Sequence, residues 1–129
     1  MKLLLDTHAL SWWLFGSPRI PPRVSELIGG DAEMVFVSAV SAFELATKFR
    51  LGKWPEARPL VEAFDALVGA QGFEILPITV RHSLRAGLLA GDHRDPFDRL
   101  LAAQASLEGL DLVSVDRAFG SLGIVPLWE

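Results

Sequence analysis

Residues 1–8 read MKLLLDTH: three leucines in a row, then at once an aspartate and a threonine. A short continuous apolar run bounded by polar residues fits a strand covered on both faces. Two further runs have the same form, VFVS at Val35–Ser38 and LVSV at Leu112–Val115. Weaker strand candidates are FEIL at Phe73–Leu76 and GIVPLW near the end. Segments with helical spacing lie between them: His8–Phe15, Pro22–Ile28, Ala39–Leu51, Pro59–Ala70, Val80–Leu89 and Pro96–Leu107. This alternation predicts an α/β sandwich with a mostly parallel central sheet. The stretches GSPRIPP, GG, RLGKWPEARP and GDHRDP are turn chemistry, too short to be linkers, so residues 1–129 are expected to form a single domain.

Composition narrows the function classes. There is no cysteine, which excludes disulfides, thiolate metal sites and cysteine nucleophiles within this sequence and is simplest to reconcile with a cytoplasmic protein. No apolar run approaches the roughly 18–20 residues that span a bilayer, so a soluble, unprocessed chain with no membrane partner is expected. Sixteen acidic against twelve basic residues give a formal charge of −4, which argues against coating nucleic acid electrostatically but not against a local contact. Half the residues are hydrophobic and four are tryptophan. Either the core is dense or another chain, in a homodimer or as a dedicated partner, covers apolar surface.

Four acids carry the chemical signal, and each has an ordinary explanation when taken alone. Asp6 follows the first strand and suits a helix N-cap, unless Thr7 caps and leaves it free. Glu44 lies within SAVSAFELATKFRLGKW. It falls in the second turn if Ser38 is the cap, completes a capping box if Ser41 is, and can also form an exposed i,i+4 pair with Lys48. In HRDPFDRLLAAQASLEG, Asp95 reads as N-cap, Pro96 as the first helical residue and Asp98 as a first-turn acid that complements the helix dipole. Asp116 closes LVSVD and suits a turn.

Together these positions say more. In a parallel sheet with right-handed crossovers, strand C-termini and helix N-termini share one edge, the edge where ligands bind in open α/β folds. Asp6 and Asp116 end strands, and Glu44 and Asp98 open helices, so all four are expected there. Two carboxylates about 4 Å apart repel by about 4 kcal/mol at an effective dielectric near 20. Arg94, Arg99 and Arg117 are too few and too peripheral to neutralise such a set. Oxygen-only ligands without cysteine or a regular histidine pair point to Mg²⁺ or Mn²⁺, which suits hydrolysis of a phosphodiester. Asp6 and Asp98 are expected as the main ligands, Glu44 as a ligand or as the group orienting the attacking water, and Asp116 as a completing ligand. Asp95 and Thr7 are outer candidates.

In this order and at these separations LLLDTHALSWWL, VSAVSAFELATKFRLGKW, DPFDRLLAAQA and LVSVDRAFGSLGI resemble the PIN-domain ribonucleases, and within them the VapC-like toxins of bacterial toxin–antitoxin pairs. The resemblance spans nearly the whole chain. It implies a three-layer α/β/α sandwich with strand order 3-2-1-4-5, and cleavage of RNA with Mg²⁺ or Mn²⁺ by an acidic quartet that falls on Asp6, Glu44, Asp98 and Asp116. It also implies a homodimer and inhibition by a small antitoxin whose C-terminal segment crosses the active-site groove. Trp12, Trp13, Phe49, Leu51 and Trp54 are candidates for covered surface, although aromatic residues at helical spacing more often line a core.

An acidic pocket needs basic neighbours to hold phosphates. Lys48, Arg50, Lys53 and Arg58 follow the Glu44 helix, and Arg94 and Arg99 flank the third acid; solvated surface is the commoner role for any one of them. His8 is expected to pack beside Trp12, while His82 and His93 stand isolated. Two rival readings remain. A haloacid-dehalogenase-like phosphatase also ends its first strand in aspartate, but wants a second acid where this chain has His8. A non-catalytic interaction module would use the acids only as caps.

Overall fold

The computed structural model describes residues 1–129. Its sheet is built around the leucine run. Strand β1 (Lys2–Leu5) pairs in parallel with β2 (Met34–Ser38) on one side and β4 (Asp111–Val113) on the other. Strand β3 (Glu74–Leu76) adds in parallel to β2, giving the order β3-β2-β1-β4.

The alternation of side chains along β1 divides the molecule into layers. Leu3 and Leu5 join one core with Leu10 of helix α1 (Thr7–Leu14), Val24 of α2 (Pro22–Glu26) and Val68 of α4 (Arg58–Ala70). Leu4 joins the other, with Val40 of α3 (Ala39–Arg50), Leu101 and Ala105 of α6 (Pro96–Glu108), and Phe119. All three leucines are fully buried, each contributing about 1.5–3 kcal/mol of apolar burial. The run is apolar throughout because both faces of β1 are covered. A third cluster of Leu45, Ala57 and Leu60 ties α3 to α4. Helix α5 (Val80–Leu88) packs on α6.

This is the sandwich expected from the sequence, with two differences. GIVPLW makes no strand: the chain touches the sheet edge through a single parallel bridge between Val113 and Leu127. Pro126, immediately before it, has no N–H to give a ladder. The sheet therefore has four strands where the resemblance implied five. Helix α2 stops early and passes into a π-helical turn, Leu27–Asp31, released by Gly30 at φ 150°. Gly91, at φ 112°, is required for a different reason, since a Cβ there would lie 2.6 Å from the Ser121 carbonyl oxygen. That close approach holds the segment leading to α6 against the turn after Asp116.

Candidate active site

The Asp6 amide still bonds to the Val113 carbonyl at 3.0 Å, so Asp6 is fixed to the sheet between β1 and β4, where the strand order reverses. Open α/β sheets form a crevice at such a reversal. A cavity of about 210 Å³ opens there, lined by Asp6, Thr7, His8, Glu44, Lys48, Asp95, Asp98, Val115 and Asp116. All four acids singled out in the sequence thus line one cavity.

The ordinary roles and the shared location hold at once. Asp6 caps α1, its Oδ1 accepting from the Ala9 amide at 2.8 Å, so Thr7 does not take over the cap. Ser38 rather than Ser41 caps α3. Glu44 is consequently one turn into α3 and 4% exposed, which corrects the surface ion pair allowed by its spacing. Thr7 Oγ1 donates to its Oε1 at 2.5 Å, Ser41 Oγ lies 3.0 Å from Thr7 Oγ1, and Lys48 Nζ reaches its Oε2 at 2.5 Å. Asp95 caps α6 by accepting from the Phe97 and Asp98 amides. Asp116 accepts from the Ala118 amide at 2.9 Å and caps the 3₁₀ turn Arg117–Leu122.

Electrostatics set two of these acids, Asp6 and Asp98, apart from an ordinary helix-end carboxylate. Burial, less the relief from the Ser114 hydroxyl and the Ala9 amide, pushes the Asp6 carboxyl up to about 6, with Asp98 and Glu44 adding repulsion. Asp98 is likewise pushed up to about 6 by burial and by the charges of Asp95 and Glu44, despite its hydrogen bond to His93. A cap on a solvated helix end has no such cost.

The donor set, carboxylate oxygens with no sulfur and no histidine pair, fits a hard divalent cation in type. Assembly is less advanced: no three acidic or histidine side chains converge closely enough to form a metal shell. Each carboxylate is instead turned toward a partner within the protein, Ala9 for Asp6, Thr7 and Lys48 for Glu44, His93 for Asp98 and Ala118 for Asp116. The expectation of ready-made convergence is corrected to a shared cavity whose acids must turn to share an ion.

Several groups fall differently from the sequence reading. His93 is not isolated: its Nε2 lies 2.8 Å from Asp98 Oδ2. Nor is His82, which lies 2.9 Å from Glu108. Nothing in the spacing of either histidine marks its partner. Ser114, two residues before Asp116, was also missed; its Oγ accepts from the Asp116 amide at 3.0 Å and moderates Asp6. Its signal was its place at the end of an apolar strand, one polar residue amid LVSV. His8 packs on Trp12 as expected and stacks on Trp54, with centroids 4.6 Å apart.

Among the basic candidates, only Lys48 lines the cavity. Arg99 is structural: its guanidinium donates to the carbonyls of Ala86, Gly87, Leu89 and His93. Arg58 pairs with Glu62 and lies over Phe49. Arg50, Lys53 and Arg94 are exposed and stand outside the cavity lining. Of the apolar candidates for covered surface only Leu51 is exposed, while Trp12 and Trp13 pack against the core. The open apolar stripe is elsewhere, at Val80, Leu84 and Leu88 on α5.

The family model of the PIN domain matches residues 3–124. This chain belongs to the PIN-domain family. Ribonuclease VapC22 of Mycobacterium tuberculosis (strain ATCC 25618 / H37Rv) is 32% identical over 120 residues, covering 92% of this chain and 90% of that protein. VapBC2 from Rickettsia felis, crystallised with a DNA fragment from its promoter, superposes with a TM-score of 0.70 at 18% identity over 100% of both chains. DNA-bound VapBC from Salmonella typhimurium gives 0.68 at 18% identity, covering 98% of this chain and 96% of that one. At such identity the two structures speak for the fold, which is the PIN fold. Family membership displaces the phosphatase alternative. No helix of this PIN domain is long and apolar enough to cross a membrane.

Proposed function

We propose that this PIN domain is a Mg²⁺- or Mn²⁺-dependent endoribonuclease that hydrolyses RNA phosphodiester bonds, acting in the cytoplasm as the toxin of a toxin–antitoxin pair. The observation that carries the reading is the cavity at the β1–β4 reversal, lined by Asp6, Glu44, Asp98 and Asp116, in a chain 32% identical to a ribonuclease. The proposed catalytic and metal-holding residues are these four, directly or through water. When bound, the divalent ion supplies Lewis acidity and neutralises charge developing on the phosphoryl oxygens.

The chain's own residues prepare that chemistry. Thr7 and Lys48 hold the two oxygens of Glu44, so Glu44 is oriented to accept a proton from, or align, an attacking water. His93 orients Asp98 through Oδ2. Burial of Asp6 and Asp98 raises the cost of leaving both ionised, which favours an incoming cation over a bare pocket.

An antitoxin partner is supported by the VapBC complexes that share the fold. A homodimer is proposed as well, and the exposed Val80, Leu84 and Leu88 supply apolar surface for a second chain to cover. The direct test is incubation of purified protein with a mixed RNA pool, with Mg²⁺ or Mn²⁺ and with chelator, followed by mapping of the cut ends. Metal-dependent cuts that vanish in Asp6→Asn support the reading; cuts that persist in that variant remove it.

A further inference from the structure

Lys48 is the only lysine or arginine in the lining of the acidic cavity, and its ammonium is not free in solvent. It stands four residues after Glu44 on α3, hence on the same helix face, and its Nζ lies 2.5 Å from Glu44 Oε2. Its side chain is 30% exposed while Glu44 is buried, and the ammonium also lies 6.0 Å from the centroid of the Trp54 ring, on which His8 stacks. A pair with one member buried is little screened by salt, and taking its cation away leaves an uncompensated buried charge. The oxygens of the acids are committed unequally. Thr7 Oγ1 donates to Glu44 Oε1, so with Lys48 on Oε2 both oxygens of Glu44 are engaged within the protein. His93 engages only Oδ2 of Asp98, and the Ala118 amide only Oδ1 of Asp116. Two divalent ions in one nuclease site stand about 3.5–4 Å apart, a spacing that calls for carboxylates open to both. Here Glu44 already carries a compact point charge.

We propose that Lys48 is the second cation of this site: its ammonium stays on Glu44, and the cavity takes one divalent ion, on the side of Asp6, Asp98 and Asp116, rather than two. The inference deepens the ribonuclease reading and rests on it for the presence of a metal. Glu44 then acts through water rather than as a direct ligand. Lys48 is its positioning residue, supplying from within α3 the charge that a second ion would otherwise bring.

The test counts the Mn²⁺ bound to the full chain, by titration followed through the electron paramagnetic resonance of the free ion. Wild type and Lys48→Arg should each hold one Mn²⁺ per chain, and Lys48→Met should hold two. Glu44→Gln combined with Lys48→Met removes the pair without stranding a buried charge, so it remains informative should Lys48→Met fold poorly. That double variant should keep its single Mn²⁺ with an affinity within a few-fold of wild type. Two ions on wild type overturn the inference, as does a single ion on folded Lys48→Met or a loss of about tenfold or more in the affinity of the double variant. No ion on wild type overturns the metal-dependent reading itself and this inference with it, so the two failures are told apart by the count.

Discussion

Helix α6 carries a histidine–carboxylate pair at each end, and the two behave differently. At its N-terminus His93 meets Asp98 at 2.8 Å; ten residues on, about 15 Å along the axis, His82 meets Glu108 at 2.9 Å. At the far pair the histidine is 1% exposed and the acid reaches solvent, while His82 also completes the capping box of α5 with Thr79. There the polar groups knit two helices together. At the near pair the acid is set among four other acids and is pushed up to about 6. The contact is nearly identical, so its role is decided by what surrounds the carboxylate.

The sharpest way to break this comparison is to neutralise each acid in turn. Asp98→Asn should lower kcat/KM for RNA by about 100-fold or more, in the range for losing a group that stabilises a transition state electrostatically. Glu108→Gln should leave it within a few-fold, and steady-state cleavage of a mapped RNA distinguishes the two. Equal losses would erase the distinction between the ends. The histidines should separate in the opposite sense. His82→Ala should cost about 2–4 kcal/mol in urea unfolding through a lost cap and buried hydrogen bonds, with cleavage retained below the melting point. His93→Ala should unfold much as wild type does yet cleave about 10- to 100-fold more slowly, with weaker Mn²⁺ binding.

Asp6 sharpens the electrostatic half of the argument. Its folded-state pKa, about 6, is above the ordinary 3.8, so the folded chain takes up that proton more readily than the unfolded chain. Stability is therefore lost as pH rises from about 4 through 6, by roughly 2–3 kcal/mol at pH 7. Asn caps a helix as well as Asp does, so Asp6→Asn should stabilise the metal-free protein at pH 7, with the gain shrinking toward zero below about pH 4. Urea titrations across that range measure it. The smallest expected effect is a rise of several degrees in the melting temperature of wild type with millimolar Mn²⁺, absent from Asp6→Asn.

Most of the fold was legible because burial on both faces leaves continuous apolar runs, and LLL, VFV and LVSV are such runs. The final strand misled because Pro126 interrupts a ladder that composition alone favoured. The shared location of the four acids could be read from a grammar that ends strands, or opens helices, on carboxylates. Their partners could not. His93 meets Asp98 from the loop that precedes α6, and Ser114 serves Asp6 across two strands; neither contact leaves a local pattern. Arg99 looked like a phosphate ligand because only its charge is visible in sequence, whereas its geometry is consumed by carbonyls.

That use of Arg99 has mechanical meaning. One guanidinium grips the departing end of α5 and the backbone of His93 while rooted one residue from Asp98. Loop and helix are thereby moored together, so a push on α6 carries the imidazole and its carboxylate along as one piece. The two groups keep their spacing when the wall they belong to shifts.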